Sequence, residues 1–102
     1  MEVTFREWKC NIKPGSYNNG RLALELIEVG TEEPIAVATV NLPEAQIGTD
    51  EVIIKDYSEN TGMQQMLIAA GVIQPEELQR IPTGFVTCPV HKLTDEFKAT
   101  LN

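Results

Sequence analysis

The side chains best suited to nucleophilic catalysis in this chain are the thiols of Cys10 and Cys88 and the imidazole of His91, the only histidine. A cysteine attacks as a thiolate, and a neighbouring histidine can take its proton. His91 follows Cys88 by three residues, and in a strand this odd spacing directs the two side chains to opposite faces. The spacing therefore favours a buried thiol and a surface imidazole over a catalytic pair.

The same residues make a poor metal site, because two cysteines and one histidine lack CxxC spacing and fall short of four zinc ligands. The carboxylates Asp50, Glu51, Asp56 and Glu59 do not follow the order of a calcium loop, and no glycine-rich phosphate loop is present. We therefore expect no catalytic residue, no metal and no cofactor. A small enzyme that uses two carboxylates as general acid and base stays open as an alternative.

The cysteines are expected to be unpaired. The first residues lack the basic start and apolar stretch of a secretory signal, and no apolar run reaches the roughly 20 residues that span a bilayer. These features predict a cytoplasmic protein with reduced thiols and no membrane association.

The net charge of −7 is concentrated in residues 22–60, where nine acidic residues accompany one lysine. Direct binding to nucleic acid or to an anionic membrane needs clustered Lys and Arg, so the charge argues against both. It is compatible with a protein partner, and also with an acidic surface that imitates DNA phosphates toward a basic groove.

The chain of 102 residues is expected to form a single domain over residues 1–102, because 42% apolar content is typical of globular proteins and half the chain would be too small for a core. Alternating apolar residues predict strands over residues 2–12, 22–29 and 35–42, and a short β-branched run predicts a fourth over 51–54, with turns at Pro14, Asn18 to Gly20 and Gly30. The consecutive apolar residues of the fourth strand predict that both its faces are covered.

One main helix is predicted from Thr61, where Thr61 and Gln64 fit a capping box, to a left-handed stop at Gly71. Phe85, Val86 and Val90 predict a fifth strand. Because proline has no amide to donate, Pro89 should place this strand at a sheet edge or end it near Cys88. The predicted fold class is α+β: an antiparallel sheet of four to five strands with one main helix on a face.

The 55–60 segment, between the fourth strand and the helix, is denser in polar side chains than folding requires. A short connection tied at both ends can hold side chains rigidly in water, as binding loops do. We take it as the candidate interaction surface, formed by Lys55, Asp56, Tyr57, Glu59 and Asn60. In the competing interpretation these residues shape the turn, start the helix and pack the Tyr57 ring.

Three pieces of the chain carry a family resemblance: ATVNLP at 38–43, VIIKDYSEN at 52–60 followed by GM at 62–63, and PTGFV at 82–86. On these pieces residues 17–90 resemble an uncharacterised family of small acidic proteins encoded on phages, plasmids and integrative conjugative elements, a domain of unknown function. The resemblance implies an accessory protein of a mobile genetic element. It transfers no catalytic residue, because the family has no known active site.

The sequence thus predicts a non-enzymatic accessory or protein-interaction protein of a bacterial mobile genetic element. Its partner is expected to be a protein. Two alternatives remain: an acidic DNA mimic that inhibits a host restriction or defence nuclease, and a small carboxylate-based enzyme.

Overall fold

The structure, a computed structural model, describes residues 1–101 and has the α+β architecture that the sequence predicts. Seven strands form two antiparallel sheets, and the longer of two helices lies between the fifth and sixth strands. The strands are β1 Glu2–Phe5, β2 Trp8–Ser16, β3 Leu22–Glu28, β4 Pro34–Val37, β5 Glu51–Ile53, β6 Gln79–Thr83 and β7 Val86–Lys92. The helices are α1 Met63–Ala69 and α2 Asp95–Ala99, and a short 3₁₀ helix spans Ser58–Asn60.

The first sheet has the order β1-β2-β3-β4. Residues 2–12 were expected to form one strand but form two, joined by a tight turn in which Arg6 takes a positive φ of 57°. Pro14 was expected to end the strand, yet β2 continues through it to Ser16. Ile12 donates to Met1 on the β1 side, so Pro14, two residues later, faces the same side beyond the start of β1. Its missing amide therefore costs no ladder hydrogen bond.

The second sheet has the order β5-β7-β6, so β7 is its central strand. The prediction that Pro89 marks an edge strand or ends the strand near Cys88 is therefore wrong, since β7 is central and continues to Lys92. Pro89 accepts a hydrogen bond from the Ile54 amide at 2.9 Å, which shows that its backbone faces the residue after the end of β5. The missing amide of Pro89 removes a hydrogen bond only at the end of the β5–β7 ladder. A proline is therefore tolerated in this central strand.

The start of α1 differs from the predicted capping box. Gly62 is the N-cap residue, and because glycine has no side chain it makes no side-chain capping hydrogen bond. The Thr61 hydroxyl donates to the Ser58 carbonyl, and the Gln64 side chain turns away from the helix start toward Glu77 and His91. The box fails because both side chains have other partners.

The end of α1 is as predicted. Gly71 has a φ of 76°, and its amide donates to the Ile68 carbonyl at 3.1 Å. The Val72 amide donates to the Leu67 carbonyl at 2.9 Å, and both of these side chains are buried. These two bonds and the apolar contact define a Schellman ending.

The main hydrophobic core joins both sheets and both helices. The sequence pattern predicts burial of six residues, of which Leu22 is only half-buried. The other five are buried in this core: Leu24, Leu26, Val52, Ile54 and Leu67. A second cluster forms on the other face of the three-stranded sheet around Ile53, Cys88 and Val90. Both faces of β5 are therefore covered, as the sequence predicts. Within residues 1–101, no helix has the length and apolar character needed to cross a membrane.

Replacing Leu24 by alanine tests the core assignment. Leu24 is 0% exposed, so Leu24→Ala should lower the free energy of unfolding by about 2–5 kcal/mol through lost burial and a residual cavity. The matched control is Leu78→Ala at a residue that is 41% exposed, which should lose much less. Urea denaturation of the three proteins measures both values. A loss for Leu24→Ala no larger than for Leu78→Ala would contradict the assignment.

Candidate protein-binding surface

Asp56, in the candidate 55–60 segment, holds the start of α1. Its Oδ1 accepts hydrogen bonds from the Gly62 amide at 3.1 Å and the Gln64 amide at 2.9 Å. Negative charge at this position satisfies amides that a helix start leaves unpaired and complements its dipole. Asp56 therefore caps α1 in place of Thr61, the residue that the sequence predicted for this role. Its Oδ1 atom is occupied by these two hydrogen bonds.

Asn60 lies inside the protein. It is 1% exposed, and its Nδ2 donates at 2.7 Å to the carbonyl of Val37, the last residue of β4. The expectation that Asn60 contributes to an exposed surface is therefore wrong. The physical reason is that the amide satisfies a strand carbonyl that would otherwise lack a partner.

The remaining candidates are Lys55, Tyr57 and Glu59. Lys55 Nζ lies 2.9 Å from Glu59 Oε1 and 5.6 Å from the centre of the Tyr57 ring. The ion pair raises the pKa of Lys55 and lowers the pKa of Glu59. Tyr57 is half-buried and packs against the second hydrophobic cluster. Three of the five predicted residues thus form a small, charge-balanced surface patch.

Phe85 was not singled out by its sequence pattern, yet it is the most exposed large apolar residue in the described chain, at 108% of the reference area. It lies in the two-residue turn between β6 and β7, where Thr83 pairs with Val86. The preceding Gly84 has a φ of 59°, as type II′ turns require at their first central position. This backbone geometry holds Phe85 at the hairpin tip, residues 84–85, away from the core.

The hairpin is joined to α1 by a network of four side chains, called here the polar network: Gln64, Glu77, Arg80 and His91. Gln64 Nε2 donates to Glu77 Oε2 at 2.7 Å and lies 2.8 Å from His91 Nε2. Arg80 binds both Glu77 oxygens at 2.8 Å and donates to the Thr87 hydroxyl at 3.1 Å. The network therefore connects a helix residue to β6 and β7.

His91 is 0% exposed, so the expectation of a surface imidazole is wrong. An amide nitrogen only donates, so His91 Nε2 must accept from Gln64. The proton is then on Nδ1, which lies 2.7 Å from the Gln74 carbonyl and donates to it. Both ring nitrogens are used in folding contacts, and His91 is directed toward α1 while Cys88 belongs to the opposite cluster.

The cysteines are free and buried, as expected. Burial raises the pKa of both thiols, which lowers the fraction present as the reactive thiolate. Within residues 1–101 no three His, Cys, Asp or Glu side chains are close enough to hold a metal ion. Four carboxylates have partners within the protein: Asp50 faces Lys92 and Lys98, Asp56 binds the start of α1, Glu59 pairs with Lys55, and Glu77 pairs with Arg80.

Comparison with protein-family models, curated proteins and solved structures finds no match to this chain.

The Glu77–Arg80 pair predicts an acid-dependent loss of stability. Arg80, assisted by Gln64, lowers the pKa of Glu77 from 4.5 to about 2. Because folding lowers this pKa, the stabilisation is complete above about pH 4.5 and is lost as the pH falls toward about 2. The stability difference between wild type and Glu77→Gln should therefore shrink over this interval, as measured by urea denaturation at each pH. In an Arg80→Gln background the pH dependence should weaken, and an undiminished dependence there would contradict the pair as its cause.

Asp56 and Glu59 are predicted to differ in their effect on stability. Asp56→Ala should lower the free energy of unfolding by about 1 kcal/mol because two amides at the start of α1 lose their acceptor. Glu59→Ala, three residues along the same segment, should lose less because it removes only an exposed ion pair. Thermal unfolding monitored by circular dichroism checks both variants. Equal losses would mean that Asp56 does not cap the helix.

Proposed function

We propose that this chain is a non-enzymatic protein-binding protein and that Phe85 is the main anchor of its interaction surface. The observation that carries the proposal is the complete exposure of Phe85 on a turn whose backbone is fixed by Gly84. Burial of a phenylalanine side chain against a partner stabilises the complex by about 1.5–3 kcal/mol. The exposed Phe85 ring does not gain this free energy in the free protein.

The rigidity of the hairpin supports the same proposal. Arg80 ties β6 to Thr87 of β7, and the polar network ties both strands to α1. A side chain presented by an ordered scaffold loses less conformational entropy on binding than one on a flexible loop. This is the arrangement expected of a binding residue rather than of an incidental surface residue.

The charged residues close to the hairpin indicate the kind of partner. Arg80 of β6 is paired with Glu77, and Lys55, which lies over the Tyr57 ring, is paired with Glu59, so these charges are balanced within the protein. A partner with an apolar pocket fits this environment better than a strongly basic groove. Tyr57, Lys55 and Glu59 are assigned to the rim of the surface, where contacts set specificity more than affinity.

The biological setting is part of the proposal. The resemblance of residues 17–90 to mobile-element proteins supports a role as an accessory protein of a bacterial mobile genetic element, acting in the cytoplasm. The partner would then be a protein of the element or of its host. No catalytic role is assigned, because His91 and Glu77 are both engaged in contacts that hold the fold together.

Replacing Phe85 by alanine separates binding from stability. Phe85→Ala should leave the melting temperature nearly unchanged, because the ring is fully exposed, and should weaken partner binding about tenfold or more. Leu78→Ala removes a partly exposed leucine outside the hairpin turn and should retain binding. Quantitative affinity capture from the native host is carried out with wild type, Phe85→Ala and Leu78→Ala. A partner is identified as a protein that only Phe85→Ala fails to capture. Capture that is the same with all three proteins would overturn the proposal.

The salt dependence of the same complex distinguishes the proposed mode from DNA mimicry. Binding through an apolar anchor in charge-balanced surroundings should change little between low and physiological salt. A DNA mimic would lose affinity steeply as salt rises and would be insensitive to Phe85→Ala. A steep salt dependence together with unchanged binding by Phe85→Ala would favour mimicry instead.

A further inference from the structure

A cleft of about 400 Å³ is lined by residues of both sheets and by none of the hairpin tip. Its walls come from the turn after β2, the loop that precedes β5, and α2 with the residues on either side of it. The volume is in the range of small-molecule sites, which favour such junctions between structural units. The cleft belongs to neither the 55–60 segment nor the polar network.

Arg21 supplies an unneutralised positive charge to the cleft. Its guanidinium is held in place by the Leu42 carbonyl, at 2.8 Å from Nη1, and by the Ala45 carbonyl. These neutral acceptors fix its position but do not compensate its charge. Among residues 1–101, Arg21 forms no salt bridge, although it is half-buried and the chain carries many carboxylates. N–H groups that these carbonyls do not use remain able to bind an anion.

Glu51 supplies an unneutralised negative charge to the same cleft. Its side chain folds over Gly48, where Oε2 lies 2.9 Å from the position that a Cβ at Gly48 would occupy. Among residues 1–101, Glu51 forms no salt bridge with Arg21 or with any other cation. Lys98, which also lines the cleft, is shared between Asp95 at 3.3 Å and Asp50 at 3.7 Å.

Four aliphatic side chains form one wall of the cleft, which the polar Ser16, Asn19 and Thr49 also line: Leu22, Ile47, Leu93 and Leu101. One free cation, one free anion and an aliphatic wall in a single cleft match a ligand with the same three parts. We propose that the cleft binds a free α-amino acid with an aliphatic side chain. The ligand carboxylate contacts Arg21, its ammonium group contacts Glu51, and its side chain packs on the leucines.

Each charged residue explains why a simpler ligand fits less well. A carboxylate without an ammonium group pairs with Arg21 but leaves Glu51 half-buried beside a second negative charge. An amine without a carboxylate pairs with Glu51 but leaves Arg21 half-buried beside a second positive charge. Hydrogen bonds to charged groups are among the strongest in proteins, so loss of either contact should weaken binding about tenfold.

Three matched compounds test the inference: leucine, N-acetylleucine without the ammonium group, and leucinamide without the carboxylate. Each is titrated into the full chain while the methyl resonances of Leu22 and Leu93 are followed by NMR. Leucine should cause saturable shifts and bind about tenfold more tightly than either analogue. No saturable shift with leucine, or equal affinities for all three compounds, would overturn the inference.

Two variants identify the contacts. Glu51→Gln should reduce the affinity for leucine to about that for N-acetylleucine, whereas Arg21→Gln should reduce it to about that for leucinamide. Lys92→Gln, at an exposed cation outside the cleft that also approaches Asp50, is the control and should leave leucine binding unchanged. Arg21 also supports the loop at Leu42. If Arg21→Gln does not fold for this reason, the Glu51→Gln result alone tests the assignment. Unchanged leucine affinity in Glu51→Gln would overturn the assignment. That result would not bear on the Phe85-dependent binding of a partner protein.

Discussion

The hydrogen bond between Gln64 and His91 is the contact on which the arrangement of the second sheet depends. Its two members lie 27 residues apart, and both are buried in the contact between α1 and β7. Gln64 Nε2 faces two acceptors, His91 Nε2 and Glu77 Oε2, so the reversed amide would set its oxygen against a carboxylate. A buried donor or acceptor left without its partner costs about 1–3 kcal/mol, and this requirement fixes the helix and the imidazole together. Glu77 is exposed and is held beside them by its hydrogen bonds to Gln64 and Arg80.

The consequences of this contact extend to the surface. Glu77 binds Arg80, Arg80 binds Thr87, and the two strands that these residues join end at Gly84 and Phe85. At the start of α1, Asp56 accepts hydrogen bonds from the Gly62 and Gln64 amides, and the adjacent Tyr57 packs against the second cluster. A continuous series of hydrogen bonds therefore connects the interior to the hairpin tip and to the 55–60 segment. The proposed interaction surface is a product of the fold and not of a flexible loop.

Local patterns predicted much of the fold. Alternating leucines gave β3, the consecutive apolar residues gave β5, and Gly71 with Val72 gave the end of α1 because Schellman geometry involves only neighbouring residues. The β1–β2 turn was missed because Arg6 and Glu7 are not turn-forming residues. Pro14 and Pro89 were misjudged because the cost of a proline depends on which neighbour its backbone faces, and that requires the register. The burial of His91 depends on a partner distant in sequence, which no local pattern reveals.

The candidate surface shows the same limit. A dense run of polar residues at 55–60 predicted a site, but Asp56 and Asn60 satisfy backbone groups, and local hydrogen bonding accounts for their presence. Phe85 was assigned to a strand because apolar residues near β-branched ones usually enter a core. The available signal was a glycine followed by one residue between two strand-forming runs, which is typical of a two-residue type II′ turn and places that residue at a hairpin tip.

The most direct test of the account is site-specific photo-cross-linking in the native host, with a benzophenone amino acid placed at position 85 or, as the control, at position 78. Both positions are exposed, but only the first lies at the hairpin tip. If Phe85 is the anchor, position 85 should give one discrete protein adduct that is absent from position 78. Equal adducts from both positions, or none from position 85 while the protein still captures a partner, would contradict the claim that Phe85 is the anchor.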